Sequence, residues 1–309
     1  MRTDPFDHPD LRDPEWNRRA ERNARRAARR ALVRRLRLPR TALLLGAVLI
    51  AVAAATYALH IREPEPPAPP EIDLARPFAG TPAQDWPAGA DGIVLPPPHE
   101  VGSLSADEVA AALEQVRSLL VRARLDRSVV QGGDVEPVVG HFAPSYQDQV
   151  RGAFADPGRW PSYYATRVAP GFRLLPAEPR VNGTMTAEPG ERRGELRVRT
   201  DYVVAYAFDI GDPAAARAPL DIVAAERWEI TYLLRVGETW YPRNRGIYLE
   251  SGRGHGYSIA CGPMARGLLA PAYSEPAPHT LPNPGVPGEF FDLDRPLPGQ
   301  GTCDLPPTG

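Results

Sequence analysis

The chain has 309 residues, 37 prolines and a formal net charge of −2. Most prolines fall at 64–98 and 271–307, where they disfavour regular helices and sheets. The length allows one or two domains, but this distribution argues against two and predicts one domain near 100–270. The charge is unevenly divided, because residues 1–40 hold 13 Arg against six Asp and Glu while the remainder is acidic.

Residues 1–40 are predicted to be an arginine-rich cytoplasmic tail. Positions 15–37 contain helix-forming residues and neither Gly nor Pro, which predicts a helix. Such an arginine density suits contact with anionic lipid headgroups. Nucleic-acid binding is not expected, because no base-reading element accompanies the charge.

Residues 41–61 form an uncharged apolar stretch bounded by Arg40 and Arg62. As a helix it would be about 31 Å long, which matches the hydrocarbon core of a bilayer and predicts a single transmembrane helix. The preceding arginines predict a cytoplasmic amino terminus, with the bulk of the chain extracytoplasmic. A cleaved signal peptide is the alternative, since 53–55 reads Ala-Ala-Ala.

Residues 62–99 hold 11 prolines and no obvious periodicity. This composition is typical of an extended, semi-rigid segment. We therefore expect a proline-rich linker between the predicted membrane span and the outer domain, able to hold that domain away from the bilayer.

The predicted domain, 100–270, begins with helices. Ser105 followed by Glu108 forms a capping-box pattern, and apolar residues then recur at helical spacing as far as Arg124. Shorter helices are predicted at 134–142 and 145–154.

Strands are predicted after the helices, because the apolar period changes to two. The clearest alternation covers 195–208 and 223–236, and further strands are expected at 172–187 and 239–249. The residues at 253–256, which alternate Arg or His with Gly, are expected to form a turn.

This order of elements predicts an α+β domain of about three helices packed on a curved antiparallel sheet of about four strands. In element order, residues 104–251 resemble the nuclear-transport-factor-2-like (NTF2-like) cone fold. The plan of tail, span and outer domain resembles the VirB8 and TcpC components of conjugative secretion systems and the mycobacterial Mce-associated membrane proteins. The abundance of Arg, Ala, Pro and Gly, with no lysine, is typical of a GC-rich genome such as an actinobacterial one.

The two cysteines, Cys261 and Cys303, both lie in the part predicted to be exported. An oxidising compartment favours a disulfide between them, which would anchor the proline-rich tail 271–309. Two free thiols or intermolecular bonds are the alternatives. No cofactor or metal motif is found, and none is expected.

The resemblance to cone folds implies a pocket at the open end of the sheet, where related enzymes place acidic, Tyr or His residues. The corresponding residues here are His141, Asp201, Tyr202, Tyr206, Glu226 and Glu229. The carboxylates alternate with arginines along the strands, which favours cross-strand charge pairing on a solvated face over a catalytic pocket. No catalytic residue is assigned, because fold analogy does not carry activity.

Two functions are therefore compared. The first is a membrane-anchored, extracytoplasmic interaction or scaffolding protein of the cell membrane, which binds envelope proteins or itself and forms part of a secretion or transport assembly. The second is a small-ligand-binding or enzymatic domain with a pocket.

Overall fold

The computed structural model describes residues 14–35, 51–52, 57, 72–211, 216, 218–275 and 291–297. The chain divides into two compact units, Met1–Ala68 and Pro69–Gly309. In the first unit, helix α1 covers Pro14–Arg35 and is reinforced by exposed pairs such as Arg19 with Glu15, one turn apart at 3.2 Å. The helix predicted for the arginine-rich tail is confirmed.

The predicted fold class is wrong in its membrane component and in its sheet. Within the described ranges, no helix is both long and apolar enough to cross a membrane. Most of 41–61 lies outside those ranges, with only residues 51, 52 and 57 inside them.

The second unit contains one five-stranded mixed sheet in place of the predicted four antiparallel strands. Its order is β1-β2-β3-β4-β5, with β1 parallel to β2 and the other pairs antiparallel. The strands are β1 (Ile93–Val94), β2 (Arg180–Pro189), β3 (Glu195–Ala207), β4 (Val223–Arg235) and β5 (Gly246–Tyr257). The parallel pair arises because the proline-rich stretch returns to the sheet edge and places Ile93 opposite Gly183.

Helices are also more numerous than predicted. The described part of this unit contains α2 (Ala106–Arg124), α3 (Arg127–Val130), α4 (Glu136–Val139), α5 (Gln147–Ala155), α6 (Pro219–Ile222) and α7 (Cys261–Ala265). Four of the six are five residues long or shorter, and such single turns leave no apolar periodicity to read. The helices predicted at 134–142 and 145–154 correspond to the shorter α4 and α5.

The capping box at the start of α2 is confirmed. The backbone N–H of Glu108 donates to the Ser105 hydroxyl at 3.3 Å, and the Glu108 carboxylate accepts from the Ser105 N–H at 2.9 Å. The helix packs its apolar face on the sheet through Val109, Leu113, Val116, Leu120 and Ala123, all buried.

The two faces of the sheet have different surroundings. On the inner face, toward α2, alternate residues from Leu196 to Tyr206 on β3 and from Trp228 to Leu234 on β4 enter the main hydrophobic core. The outer face carries the intervening residues, so the predicted alternation is confirmed.

Strands β2 and β5 differ from the predicted ranges because prolines displace them. Strand β2 begins only after Pro179, and a 3₁₀ turn at Pro242–Asn244 interrupts the range 239–249. The residues at 253–256 belong to β5 and form no turn. Gly254 is needed there, because a Cβ at this position would lie 2.2 Å from the Trp228 ring.

Two chain segments cover one end of the outer face and build a second hydrophobic cluster with it. Residues 72–87, part of the predicted linker, bury Phe78 and Ala83, and the sheet residue Arg180 donates to the Trp86 carbonyl at 2.7 Å. The second segment is 291–297. Prolines prevent regular structure in these segments but do not prevent packing.

Strand β5 forms the edge of the sheet opposite β1. It contains a bulge, since Thr231 pairs with Ser251 and the next residue, Tyr232, pairs with Leu249, which leaves Glu250 as the extra residue. Residues 250 to 254 of this edge are exposed or half-buried.

Candidate functional site

A buried polar cluster connects the end of α2 to the inner face of the sheet. Arg124, the last residue of the helix, is 1% exposed. Its guanidinium donates to the Tyr202 hydroxyl at 3.1 Å, the Ser162 carbonyl at 2.9 Å, the Thr166 hydroxyl at 3.1 Å and the Tyr163 carbonyl at 3.1 Å. All three guanidinium nitrogens of Arg124 therefore donate hydrogen bonds.

Glu226 supplies the negative charge of the cluster. Its carboxylate accepts a hydrogen bond of 2.5 Å from Thr166, whose hydroxyl also lies 3.1 Å from that of Tyr206. Burial raises the pKa of Glu226, while Arg124 and the Thr166 hydrogen bond oppose that rise. The carboxylate is thus a desolvated acid linked to the Arg124 cation through the Thr166 hydroxyl.

The tyrosines of the cluster are neutral hydrogen-bonding groups. Burial raises the pKa of Tyr202, Tyr206 and Tyr232, in each case as the largest effect. None of the three is more than 2% exposed. The structure brings Tyr202 and Tyr206 together with Glu226, but the space between them is filled by the Arg124 side chain.

The predicted pocket residues Asp201 and Glu229 lie on the opposite face of the sheet. Asp201 accepts two hydrogen bonds from Arg227, at 2.8 and 3.1 Å, and Glu229 accepts one from Arg253 at 2.8 Å. The sheet therefore divides the predicted set, because adjacent residues in a strand point to opposite faces.

His141 belongs to neither group. It follows α4, is half-buried, and burial lowers the pKa of its imidazole with a smaller contribution from Arg122. Among the residues described, its side chain makes no hydrogen bond to the buried cluster or to the outer-face carboxylates.

A shallow groove of about 460 Å³ crosses the open part of the outer face. Four hydroxyls and four charged groups project into it, from Thr184, Thr186, Thr231, Ser251, Arg199, Asp201, Glu229 and Arg253. The charges are paired across strands, so the groove offers polar contacts without a net charge.

The most exposed features of the surface include Trp160, which the sequence analysis missed. It lies between two 3₁₀ turns, Pro157–Arg159 and Pro161–Tyr163, and has left-handed backbone angles of φ 54° and ψ 59°. Its indole is 63% exposed. The signal in the sequence is a tryptophan followed directly by proline and preceded by Pro-Gly-Arg.

Aromatic contacts hold the Trp160 turn on the domain. The ring centroids of Trp160 and Tyr163 are 6.3 Å apart, and Tyr163 packs edge-on against Trp228 at 5.6 Å. Trp228 in turn lies 4.8 Å from the Arg124 guanidinium. The exposed indole is thus connected through packed rings to the buried cluster.

No group of three or more His, Cys, Asp or Glu residues suited to a metal ion occurs in the described part of the chain. Cys261 is buried at the start of α7 and carries no free thiol. Cys303 lies outside the described residues, so its pairing with Cys261 stays a prediction.

Comparisons with models of protein families, with curated proteins and with solved structures returned no match for this chain. The resemblance to the NTF2-like fold and to secretion components therefore stays a prediction.

Proposed function

We propose that the folded unit is an interaction domain that binds a protein partner through the surface around Trp160. The observation that carries this proposal is the indole itself, which is 63% exposed although it is fixed in a left-handed backbone conformation. That conformation costs a residue other than glycine roughly 1–2 kcal/mol. Residues held in such sparsely populated backbone conformations cluster at functional sites, which supports a role for this exposed ring in binding.

The geometry around Trp160 suits an interface anchor. Prolines at 157 and 161 restrict the backbone on both sides, and the Tyr163 ring lies beside the indole, with 6.3 Å between the ring centroids. A tryptophan that is rigid before binding loses little entropy on association, and tryptophan is enriched among residues that dominate binding energy.

The buried cluster supports an interaction role over an enzymatic one. Arg124 and Glu226 compensate each other, and both are less than 10% exposed. Enzyme sites need such groups to be reachable by substrate, whereas a filled, hydrogen-bonded cluster positions α2 on the sheet.

We further propose that this domain acts on the outer side of the cell membrane and that α1 contacts anionic lipid headgroups on the inner side. The charge division between residues 1–40 and the remainder supports this placement. Protease added to intact cells should cleave within 72–297; protection of that region in cells and its digestion only after lysis would contradict the placement.

The interaction role is tested with Trp160→Asn in the full-length chain, expressed at its native level and extracted with its membrane assembly. Asparagine tolerates the left-handed conformation, so the thermal unfolding midpoint should stay the same or rise. The assembly should nevertheless shift to a smaller size on a native gel.

Tyr241→Asn is the matched control, since Tyr241 is 77% exposed but has an ordinary φ of −57°. This variant should leave both assembly size and stability unchanged. The proposal fails if the unmodified protein migrates as a monomer, or if Trp160→Asn assembles normally.

The groove on the outer face favours a second candidate, binding of a small polar ligand. Its hydroxyls and paired charges could hydrogen-bond a neutral polar molecule. Thr231→Val and Thr184→Val would then weaken binding of that ligand in a thermal-shift screen while Trp160→Asn would not.

A further inference from the structure

The segment 291–297 lies on the outer face of the sheet in the manner of a bound peptide. We propose that this face carries a binding site for an extended peptide with an aromatic anchor, filled by residues 291–297 of the same chain and able to accept the same segment from a second copy. This proposal does not depend on Trp160.

The anchor of the segment is Phe291, which is 4% exposed. Its ring lies 5.4 Å from that of Trp86 and 5.6 Å from that of Tyr257, measured between centroids. One of these neighbours comes from the 72–87 segment and the other from β5. The aromatic site is therefore built by the domain and merely filled by Phe291.

Arg227 holds the main chain beyond the anchor. It donates to the carbonyl of Asp292 at 2.9 Å and to that of Leu293 at 3.1 Å. Its remaining donors form the two hydrogen bonds to Asp201, which fix the orientation of a guanidinium that is itself buried. Carbonyls are common to all peptides, so this contact recognises an extended backbone and leaves sequence choice to the aromatic site.

Few hydrogen bonds connect the segment to the domain. In the described part of the chain, no backbone–backbone hydrogen bond joins 291–297 to a strand, and the one at 3.3 Å from Arg295 to Asp292 is internal. The contacts described for the segment are therefore mainly those of side chains, namely the Phe291 anchor, the packing of Leu293 and the two hydrogen bonds from Arg227, and the segment is not a strand of the sheet.

The site continues into the open groove, because Asp201 contacts Arg227 and also lines the groove. Fifteen residues, 276–290, separate the segment from the residues before it. A connection of that length spans up to about 50 Å when extended, so its length is compatible with exchange of the segment between two molecules. If two copies exchanged this segment, the segment of each copy would form with the other copy the same contacts that it forms within its own chain.

The test uses the full-length chain with Phe291→Ala and a fluorescent synthetic peptide of residues 289–297. Removing the internal anchor should leave the site open, so the peptide should bind this variant at least tenfold more tightly than the unmodified chain, where the attached segment competes at high effective concentration. A peptide carrying the same Phe-to-Ala change should not bind.

Tyr273→Ala, which alters an exposed aromatic residue elsewhere, is the control chain and should behave like the unmodified one. If the Phe291→Ala variant does not fold, the binding assay is replaced by a hydrogen-exchange measurement on the unmodified chain. Excess peptide should then accelerate exchange within 291–297.

Sedimentation of the unmodified chain measures its oligomeric state and so tests whether a second copy supplies the segment. A dimer that the peptide dissociates is the expected result. A chain that stays monomeric at all concentrations overturns exchange between copies. A folded Phe291→Ala chain that does not bind the peptide, or unchanged exchange in the unmodified chain, overturns the site itself.

Discussion

Replacing Arg124 with methionine tests the interpretation of the buried cluster. The substitution keeps a long apolar side chain but removes the four hydrogen bonds to Tyr202, Thr166 and the carbonyls of Ser162 and Tyr163. It also leaves the Glu226 carboxylate buried without its cation.

Arg124 and Glu226 are linked through the Thr166 hydroxyl, and removing the cation that compensates a buried carboxylate costs up to about 3–5 kcal/mol, because the remaining charge is uncompensated. Domains of this size have a free energy of unfolding of about 5–15 kcal/mol. Arg124→Met should therefore reduce that free energy by about a fifth or more in urea unfolding followed by tryptophan fluorescence.

Arg151→Met is the matched control, since Arg151 pairs with Glu136 at 3.0 Å but both side chains are more than 40% exposed. Its expected cost is about 0–1 kcal/mol. The double variant Arg124→Met with Glu226→Gln should lose about 1–3 kcal/mol less unfolding free energy than the sum of the losses in the two single variants. Equal costs for the two arginine variants, or no recovery in the double variant, would refute the proposed coupling.

Three further changes probe separate features. Gly254→Ala places a Cβ 2.2 Å from an indole ring and should cost about 1–3 kcal/mol in urea unfolding, whereas Gly252→Ala meets its neighbours at 3.4 Å and should be nearly neutral. Because burial raises the pKa of Glu226, the folded state holds that proton more tightly, so the free energy of unfolding should fall as the pH rises from about 4.5 through the folded-state pKa. Glu226→Gln should reduce the dependence of the unfolding free energy on pH in this range, and an unchanged dependence would contradict the prediction. If Cys261 and Cys303 are paired, Cys303→Ser should destabilise the oxidised protein by up to about 4 kcal/mol and have no effect under reducing conditions.

The sequence predicted those parts of the fold that depend on local periodicity. Ser105 and Glu108 mark the start of α2, and alternation along 195–208 and 223–236 identifies β3 and β4 with their inner faces. These signals arise within one element and need no knowledge of its neighbours.

The remaining parts depend on contacts between distant residues. Arg124 resembles an ordinary exposed arginine at a helix end until the 162–166 loop supplies its acceptors. Similarly, the prolines of 62–99 predict an absence of helix and strand, which is correct for most of the described part, 72–99. Phe78 is nevertheless buried, because the outer face of the sheet offers it an apolar end, and Ile93 enters the main core.

The sequence identifies several residues of the candidate site but does not predict which face of the sheet each one occupies. Tyr202 and Asp201 were grouped as pocket residues although they are adjacent in one strand, and adjacent residues point to opposite sides of a sheet. Trp160 was missed because its exposure follows from a backbone conformation that no periodicity encodes.

The open edge of β5 also has a consequence for solubility. A glycine-containing strand with unpaired backbone groups is a template on which other chains can add as fibres. Here the bulge at Glu250 twists the edge locally, and Glu250 and Arg253 place charged side chains beside it, paired with Arg197 and Glu229 across the outer face. Charged residues and bulges at an edge strand hinder the addition of further strands, so replacing both residues with valine is expected to favour edge-to-edge association of this chain.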